Sequence, residues 1–160
     1  SSEEVAFLAR GEGPLREVYG RFAKTPWTPP GTTPVRHLHA LGVLGPTTLL
    51  VHGVQVEEKE VGLLAETGTK VVLCPRSNAN LEVGEAPLAL YAKHGVELAL
   101  GTDSRGSSPD LDVKNEARFL WGRAEPRLLV RALTRGGYRA LGLPTPRLTR
   151  GTPLSLVHFL

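Results

Sequence analysis

The fold is decided by the stretch from residue 70 to residue 104, which reads KVVLCPRSNANLEVGEAPLALYAKHGVELALGTDS. Two short apolar runs in it, residues 70–74 and 96–100, have the length and composition of buried strands. Between them, residues 86–94 (APLALYAKH) have helical character and are followed by a glycine that can end a helix. A strand, a helix and a second strand in this order predict parallel strands joined by a crossover.

The same alternation continues on both sides of this stretch. Residues 47–52 (TTLLVH) form another apolar run, and residues 57–67 (EEKEVGLLAET) carry apolar positions at helical spacing. Downstream, Ser108 as N-cap before a proline predicts a helix that continues through residues 119–121. A further helix is expected from Pro126 to about Thr134, and a short one that ends near Gly142. The centre of the chain therefore predicts a βαβαβα arrangement with right-handed crossovers.

The two ends of the chain are less regular. The amino-terminal region predicts a helix from Pro14 to Ala23, a proline-rich loop from Thr25 to Pro34 and a helix from Val35 to about Leu44. The tail from Pro144 to Leu160 contains only a candidate strand at Leu154 to Leu160. Because a closed (β/α)8 barrel needs about 250 residues, three strands indicate either a small open α/β sheet or one part of a barrel.

Composition and charge narrow the class of protein. The chain has 160 residues, 41% of them hydrophobic and 22% charged, which suffices for one packed core or a piece of a larger one. No apolar run approaches the roughly 18 residues of a membrane span, and the formal charge of +3 comes from scattered basic residues. We therefore expect no membrane and no nucleic-acid partner, and the single cysteine, Cys74, favours the cytoplasm. The lack of methionine indicates a chain that starts inside a longer reading frame, or a sequence from which methionines are missing.

Polar side chains follow the three predicted strands at the points where they end. His52 ends the first run, Arg76 and Asn78 follow the second, and Asp103 follows the third. The carboxyl ends of parallel strands lie side by side, at the rim where α/β folds place their sites. We therefore expect His52, Asp103 and either Arg76 or Asn78 to converge on one rim, and we predict Arg76 and Asn78 as the residues that bind a small-molecule substrate.

Structural alternatives stay open for each of these residues. The histidine and the aspartate could cap strand ends by bonding to loop backbone. Arg76 could form an ion pair with Glu82 or Glu85, and Asn78 could build a turn. Cys74 is interpreted as a buried strand residue rather than a nucleophile.

The sequence also contains a histidine pair, His37 and His39, with the spacing of a chelate on a strand. The surrounding residues have helical character, however, and on a helix residues two apart point in directions roughly 200° apart. We therefore predict that this pair holds no metal. Asp110 and Asp112, further along the chain, are interpreted as first-turn acids of the helix that follows them.

Four short motifs resemble the amidohydrolase superfamily, in the branch of cytosine deaminases, chlorohydrolases and adenosine-type deaminases. They are Val51-His52-Gly53, Cys74-Pro75-Arg76-Ser77-Asn78, Leu100-Gly101-Thr102-Asp103-Ser104 and Ser107-Ser108-Pro109-Asp110-Leu111-Asp112. The resemblance covers roughly residues 12–142, and the order of the motifs on three successive strands makes it specific.

The resemblance implies an α/β fold, the C-terminal part of a metal-dependent (β/α)8 TIM barrel, with strands six to eight and their helices. On this basis residues 1–142 belong to the barrel. Residues 143–160 form a tail that leads toward a small β-sandwich domain.

The resemblance also implies a hydrolytic activity with His52 and Asp103 as catalytic residues. His52 matches the sixth-strand histidine, which positions the hydroxide or the substrate. Asp103 matches the eighth-strand aspartate, a metal ligand and proton acceptor. The expected cofactor is one divalent metal ion, zinc in the first place, with iron or manganese as alternatives. The expected reaction is deamination of an amino-substituted heterocycle by metal-bound hydroxide, on an adenosine-like compound such as a thioether adenosine or aminodeoxyfutalosine.

The chain departs from the family pattern in one large respect. The two metal-binding histidines of the first strand and the histidine–glutamate pair of the fifth are not in the sequence, so we expect the chain to begin just after that pair. The 160 residues alone are expected to associate, to bind metal weakly and to deaminate nothing. Two other interpretations stay open. One is a non-catalytic barrel fragment that folds with a partner or as a homo-oligomer, and the other is an unrelated small α/β binding domain.

Overall fold

The computed structural model describes residues 1–145 and residue 150, and it contains a three-stranded sheet. The strands are β1 (Leu49–Val51), β2 (Lys70–Leu73) and β3 (Leu98–Leu100), in the spatial order β1-β2-β3. Both pairings are parallel, which confirms the predicted arrangement. Each strand is shorter than the apolar run that predicted it.

The register of the sheet decides which residues lie level at its carboxyl end. Val51 pairs with Val72, and Leu73 pairs with Leu100. The ladder continues one step beyond β1, because the backbone N–H of His52 donates to the carbonyl oxygen of Val72 at 2.8 Å. His52 is therefore anchored to the sheet at the rim, where β1 gives way to loop.

Helices precede and follow the strands. They are α1 (Ser2–Arg10), α2 (Pro14–Phe22), α3 (Pro34–Ala40), α4 (Glu58–Thr67), α5 (Pro75–Asn80), α6 (Leu88–His94), α7 (Val113–Phe119), α8 (Pro126–Arg131) and α9 (Gly137–Ala140), with a π-helical segment, Ala132–Gly136, between the last two. Of the described helices, α1 and α5 were not predicted from the sequence.

Helix α1 has a clear start signal that the sequence analysis missed. The Ser1 side chain accepts a hydrogen bond from the backbone of Glu4, and the Glu4 side chain bonds back to the N-cap backbone. This reciprocal pair is a capping box. The helix ends at Gly11, whose φ of 69° is left-handed. The spacing Ser-x-x-Glu was the available signal.

The predicted helix start at Ser108 is wrong. Helix α7 begins at Val113, and its N-cap is Asp112, whose side chain accepts from the backbone N–H of Lys114 at 3.0 Å. The Ser108 hydroxyl instead donates to the carbonyl oxygen of Asp110 within a loop. The interpretation of the two aspartates as first-turn acids is wrong for the same reason, since Asp112 caps the helix and Asp110 precedes it.

The hydrophobic core lies between the sheet and its helices. Val71 and Leu73, alternate residues of β2, belong to one buried cluster with Val61 and Leu64 of α4 and Tyr91 of α6. Burying a large apolar side chain contributes about 1.5–3 kcal/mol. The packing of α4 and α6 thus holds the strands whose ends carry the polar residues.

No helix within the described part of the chain has the length and apolar character needed to cross a membrane. The candidate strand at Leu154 to Leu160 lies outside the described residues. The proposed tail, residues 143–160, lies mostly outside them as well.

Candidate active site

The structure brings His52, Asn78 and Asp103 together at the carboxyl end of the sheet. Nδ1 of His52 lies 2.8 Å from Oδ1 of Asn78. Nε2 of the same ring lies 4.0 Å from Oδ2 of Asp103. The predicted convergence of these three residues is confirmed, and their chemical roles stay predictions.

The residues that follow β1 and β3 occupy unusual backbone conformations. His52 has a φ of 70° and Asp103 a φ of 60°, both in the left-handed region that residues with a Cβ seldom adopt. Gly53 follows with a φ of 58°, and a Cβ there would collide with the hydroxyl of Tyr91. That hydroxyl donates to the Gly53 carbonyl oxygen at 2.6 Å. Strained residues of this kind concentrate at functional sites, where the surrounding structure holds them in place.

Two serine hydroxyls hold the Asp103 carboxylate. Ser77 donates to Oδ2 at 2.6 Å, and Ser107 donates to the same oxygen at 2.9 Å. These hydrogen bonds, that of Ser77 first, lower the pKa of Asp103 below its ordinary value. The carboxylate therefore stays ionised at neutral pH. Neither serine was predicted as a site residue, although Ser77 lies inside one of the family-like motifs and Ser107 is the first residue of another.

Asn78 determines the tautomer and the orientation of the His52 ring. An amide oxygen only accepts hydrogen bonds, so Nδ1 of His52 carries the hydrogen in this contact. In the neutral ring, Nε2 is then an acceptor and faces Asp103. Asn78 is almost completely buried, and it lies in helix α5, not in the turn that was the alternative interpretation of this residue. Its burial fixes the orientation of the imidazole.

Arg76 lies beside this group but turns its guanidinium toward another carboxylate. Nη1 and Nη2 donate to the two oxygens of Asp110 at 2.9 and 2.8 Å. This contact holds the pKa of Asp110 well below its usual range. The alternative partners predicted from the sequence, Glu82 and Glu85, are replaced by Asp110, and Glu85 pairs with Arg123 instead.

A buried glutamate approaches Arg76 from helix α7. The Arg76 backbone N–H donates to Oε2 of Glu116 at 3.0 Å, and Nη1 lies 3.7 Å from Oε1. Glu116 is completely buried, and this burial raises the pKa of its carboxyl above the ordinary value. The main chain at residue 76 is thus tied to the interior of the protein.

Two other sequence interpretations are confirmed. Cys74 is buried, and burial is the largest cause that raises the pKa of its thiol to about 11, so it is not a thiolate at neutral pH. His37 and His39 lie on helix α3 and not on a strand. That geometry supports the prediction that the pair holds no metal.

The site contains some of the ligand atoms that a metal ion needs, but not a complete set. Nε2 of His52 and Oδ2 of Asp103 are two acceptors that face each other across 4.0 Å, which suits a cation or a water proton between them. Within residues 1–145 and 150, no group of three or more His, Cys, Asp and Glu side chains could hold a metal ion. A catalytic zinc takes about three protein ligands and an open position. The described residues therefore supply only part of such a ligand set.

Comparisons with known proteins agree with the motifs. A family model described as "Amidohydrolase family" matches residues 22–159. An aminodeoxyfutalosine deaminase of Deinococcus radiodurans is 47% identical over 140 residues, which cover 86% of this chain and 32% of that protein. A 5-methylthioadenosine/S-adenosylhomocysteine deaminase of Halobacterium salinarum is 38% identical, with 81% and 33% covered. The chain spans about a third of the length of these curated relatives.

Solved structures show the same fold. An adenosine deaminase from Xanthomonas campestris with bound zinc has a TM-score of 0.66 and 31% identity, over 88% of this chain and 31% of that one. The atrazine chlorohydrolase TrzN from Arthrobacter aurescens, complexed with zinc, has a TM-score of 0.65 and 25% identity, over 72% and 28%. With a family model that matches 22–159 and a parallel sheet that carries the motifs at its carboxyl end, this chain belongs to the amidohydrolase family.

Proposed function

We propose that this chain supplies strands six to eight of a metal-dependent (β/α)8 barrel, and that the full natural protein hydrolytically deaminates an adenosine-like compound. β1, β2 and β3 would be those three strands. The parallel order of the strands and the similarity to full-length deaminases support this placement. The remaining metal ligands would come from parts of the full protein other than the described residues.

One observation carries the proposal. His52 and Asp103 stand at the ends of parallel strands, both in left-handed backbone, with acceptor atoms 4.0 Å apart. Strand-end caps alone would not require two strained residues to face each other. An ionised carboxylate beside an imidazole nitrogen is a pair of groups that can orient and deprotonate a water molecule.

Asp103, His52 and Asn78 would have different roles in the proposed reaction. When bound, a divalent metal, zinc in the first place and iron or manganese otherwise, would lower the pKa of a water toward about 7. Asp103 would help hold it and would accept the proton of the attacking water. His52 would orient that water or the substrate through Nε2, with Asn78 fixing its tautomer. Water would add at the ring carbon that bears the amino group. The amino group would take up a proton from an acid outside the described residues, and ammonia would leave as a carbonyl forms at that carbon.

The substrate class follows from chemistry that the relatives share. Their names describe deaminases of aminodeoxyfutalosine, methylthioadenosine and S-adenosylhomocysteine. We therefore propose a small-molecule substrate that carries an aminopurine, with aminodeoxyfutalosine first. The substrate-binding roles of Arg76 and Asn78 stay predictions. In the structure the Asn78 side chain contacts His52 and the Arg76 guanidinium binds Asp110, so either role would require a change in these contacts.

The test is to purify the full natural protein, count its metal by elemental analysis and measure ammonia release. The panel is aminodeoxyfutalosine, methylthioadenosine, S-adenosylhomocysteine and adenosine. We expect about one zinc per chain and turnover of at least one panel member. Residues 1–160 alone serve as the matched control, with weak metal binding and no turnover expected.

Two results would contradict the proposal. A full protein without metal and without ammonia release would favour the non-catalytic fragment. Stoichiometric metal and turnover in residues 1–160 alone would show that the ligand set is complete within this chain.

A further inference from the structure

Arg76 connects the chain segments that follow β2 and β3, and both segments carry residues of the candidate site. It lies at the start of α5, directly after β2, and its partner Asp110 lies in the loop after β3. The two hydrogen bonds, 2.9 and 2.8 Å, form a parallel fork between guanidinium and carboxylate. Such a bidentate pair fixes orientation as well as distance.

The partner of this fork is itself held in place. Asp110 Oδ1 accepts from the backbone N–H of Asp112 at 2.9 Å, and Oδ2 accepts from the side chain of Asn115 at 3.1 Å. On the other side, the Arg76 backbone N–H is bonded to the buried Glu116. Arg76 is therefore restrained at its main chain and at the tip of its side chain.

The residues next to Arg76 are those that touch the site. Ser77 donates to Asp103, and Asn78 accepts from His52. All three belong to the six-residue helix α5, so a movement of its first turn would move both contacts together. Misplacement of a site by about 1 Å is enough to cost much of its activity.

A role as substrate ligand fits the arginine poorly. Its side chain is 13% exposed, and both ends of its fork point at Asp110. A substrate anion would have to displace an ionised carboxylate that also accepts two other hydrogen bonds, from Asp112 and Asn115.

We infer that the Arg76–Asp110 pair is a positioning device, which sets Ser77 and Asn78 at the distances that hold Asp103 and His52. This inference rests on the proposed function. The pair touches neither the substrate nor the reacting atoms, and it acts through the first turn of α5.

The experiment compares Arg76→Met, Asp110→Asn and the double variant in the full natural protein. Arg131→Met is the matched control, because Arg131 forms a similar fork with Glu97, at 3.3 and 2.6 Å, beside the amino end of β3. The measurements are kcat and KM, zinc retained against a chelator, and hydrogen exchange of residues 75–80.

We expect each single variant to lower kcat and zinc affinity by about 10-fold to 100-fold, as for partners that orient metal ligands. KM should change less than about 2-fold, and the double variant should be no worse than the poorer single one. Exchange of residues 75–80 should become at least about 10-fold faster. Arg76→Lys should recover part of the loss, because it keeps the charge without the fork. Arg131→Met should show none of these effects.

Different outcomes separate the inference from the proposed function. A raised KM with unchanged kcat in Arg76→Met, absent in Asp110→Asn, would make Arg76 a substrate ligand and overturn the inference. Unchanged exchange of residues 75–80 in both single variants would overturn it too. A wild-type protein without zinc and without turnover would end the proposed function, and the exchange measurement would still decide whether the pair holds α5.

Discussion

At the carboxyl ends of β1 and β3 the structure holds non-glycine residues in left-handed backbone, whereas the amino end of β3 is packed closely against a helical segment. At the carboxyl end, His52 and Asp103 have left-handed φ values of 70° and 60°. Their contacts are polar, through Asn78 and Ser77. Each residue held in this way costs of order 1–3 kcal/mol.

The amino end of β3 is closed by helix packing and ion pairs. A Cβ at Gly136, in the π-helical segment, would meet the carbonyl oxygen of Leu98. Glu97, one residue before the strand, accepts from Arg131 at 2.6 Å and from Arg139 at 2.8 Å.

The difference between the two ends separates chemistry from stability. In parallel α/β folds the carboxyl end carries the reacting groups, and the amino end contributes to stability. Substitutions at the carboxyl end should therefore change activity more than the free energy of unfolding. Substitutions at the amino end should change the free energy of unfolding more than activity.

The largest effect is expected at Asp103. In the full natural protein, Asp103→Asn should lower kcat by roughly 1,000-fold, because a carboxamide accepts no proton from water. The melting temperature should change little, since asparagine tolerates a left-handed φ. Steady-state ammonia release and calorimetry test both expectations. Turnover above a tenth of the wild-type rate would remove Asp103 from the proposed mechanism.

The next effect is expected at the opposite end of the sheet. Gly136→Ala should lower the free energy of unfolding by about 2–3 kcal/mol, because the added methyl group has to displace backbone. Gly137→Ala is the control, since a Cβ there meets nothing within 4 Å. It should be neutral or slightly stabilising, by up to about 1 kcal/mol. Urea unfolding measures both, and equal stability of the two variants would contradict the packing of β3.

A smaller effect tests the strain at His52. His52→Gly and His52→Ala both remove the imidazole, but only alanine keeps a Cβ in left-handed backbone. The glycine variant should be more stable than the alanine variant by about 1 kcal/mol. At Val51, in β1, the alanine variant should be more stable than the glycine variant, because glycine weakens an ordinary strand position. If the same variant type is the more stable one at both positions, His52 is not strained.

The smallest effect is expected for the histidine pair on α3. His37→Ala and His39→Ala should each leave the zinc content of the full natural protein unchanged, since residues two apart on a helix cannot share an ion. Elemental analysis of the purified variants checks this. Loss of zinc in either variant would place a ligand where the structure shows a helix.

The sequence predicted the strands well, but it did not lead us to predict α1 and α5, and it placed the start of α7 too early. The strands were predictable because each is marked by an apolar run with clear ends, a signal carried by neighbouring residues alone. These runs are residues 47–52, 70–74 and 96–100. Helix α5 (PRSNAN) has no apolar periodicity, and it forms where a proline at its first position follows β2. Ser108 was predicted as the N-cap of α7, whereas the structure has Asp112 at that position. The loop before α7 contains Asp110, which is held by Arg76 through a contact that lies outside any local pattern.

The sequence by itself determined the order of the elements and the placement of His52 and Asp103 at strand ends. Both depend on hydrophobic pattern and on residues that end strands, and these signals act within a few positions. Only the tertiary structure decided that Ser77 reaches Asp103, 26 residues away, and that Arg76 reaches Asp110, 34 residues away. Such contacts have no periodicity in the chain. They exist because parallel pairing brings the ends of β2 and β3 side by side, where charge and hydrogen bonding select the partners.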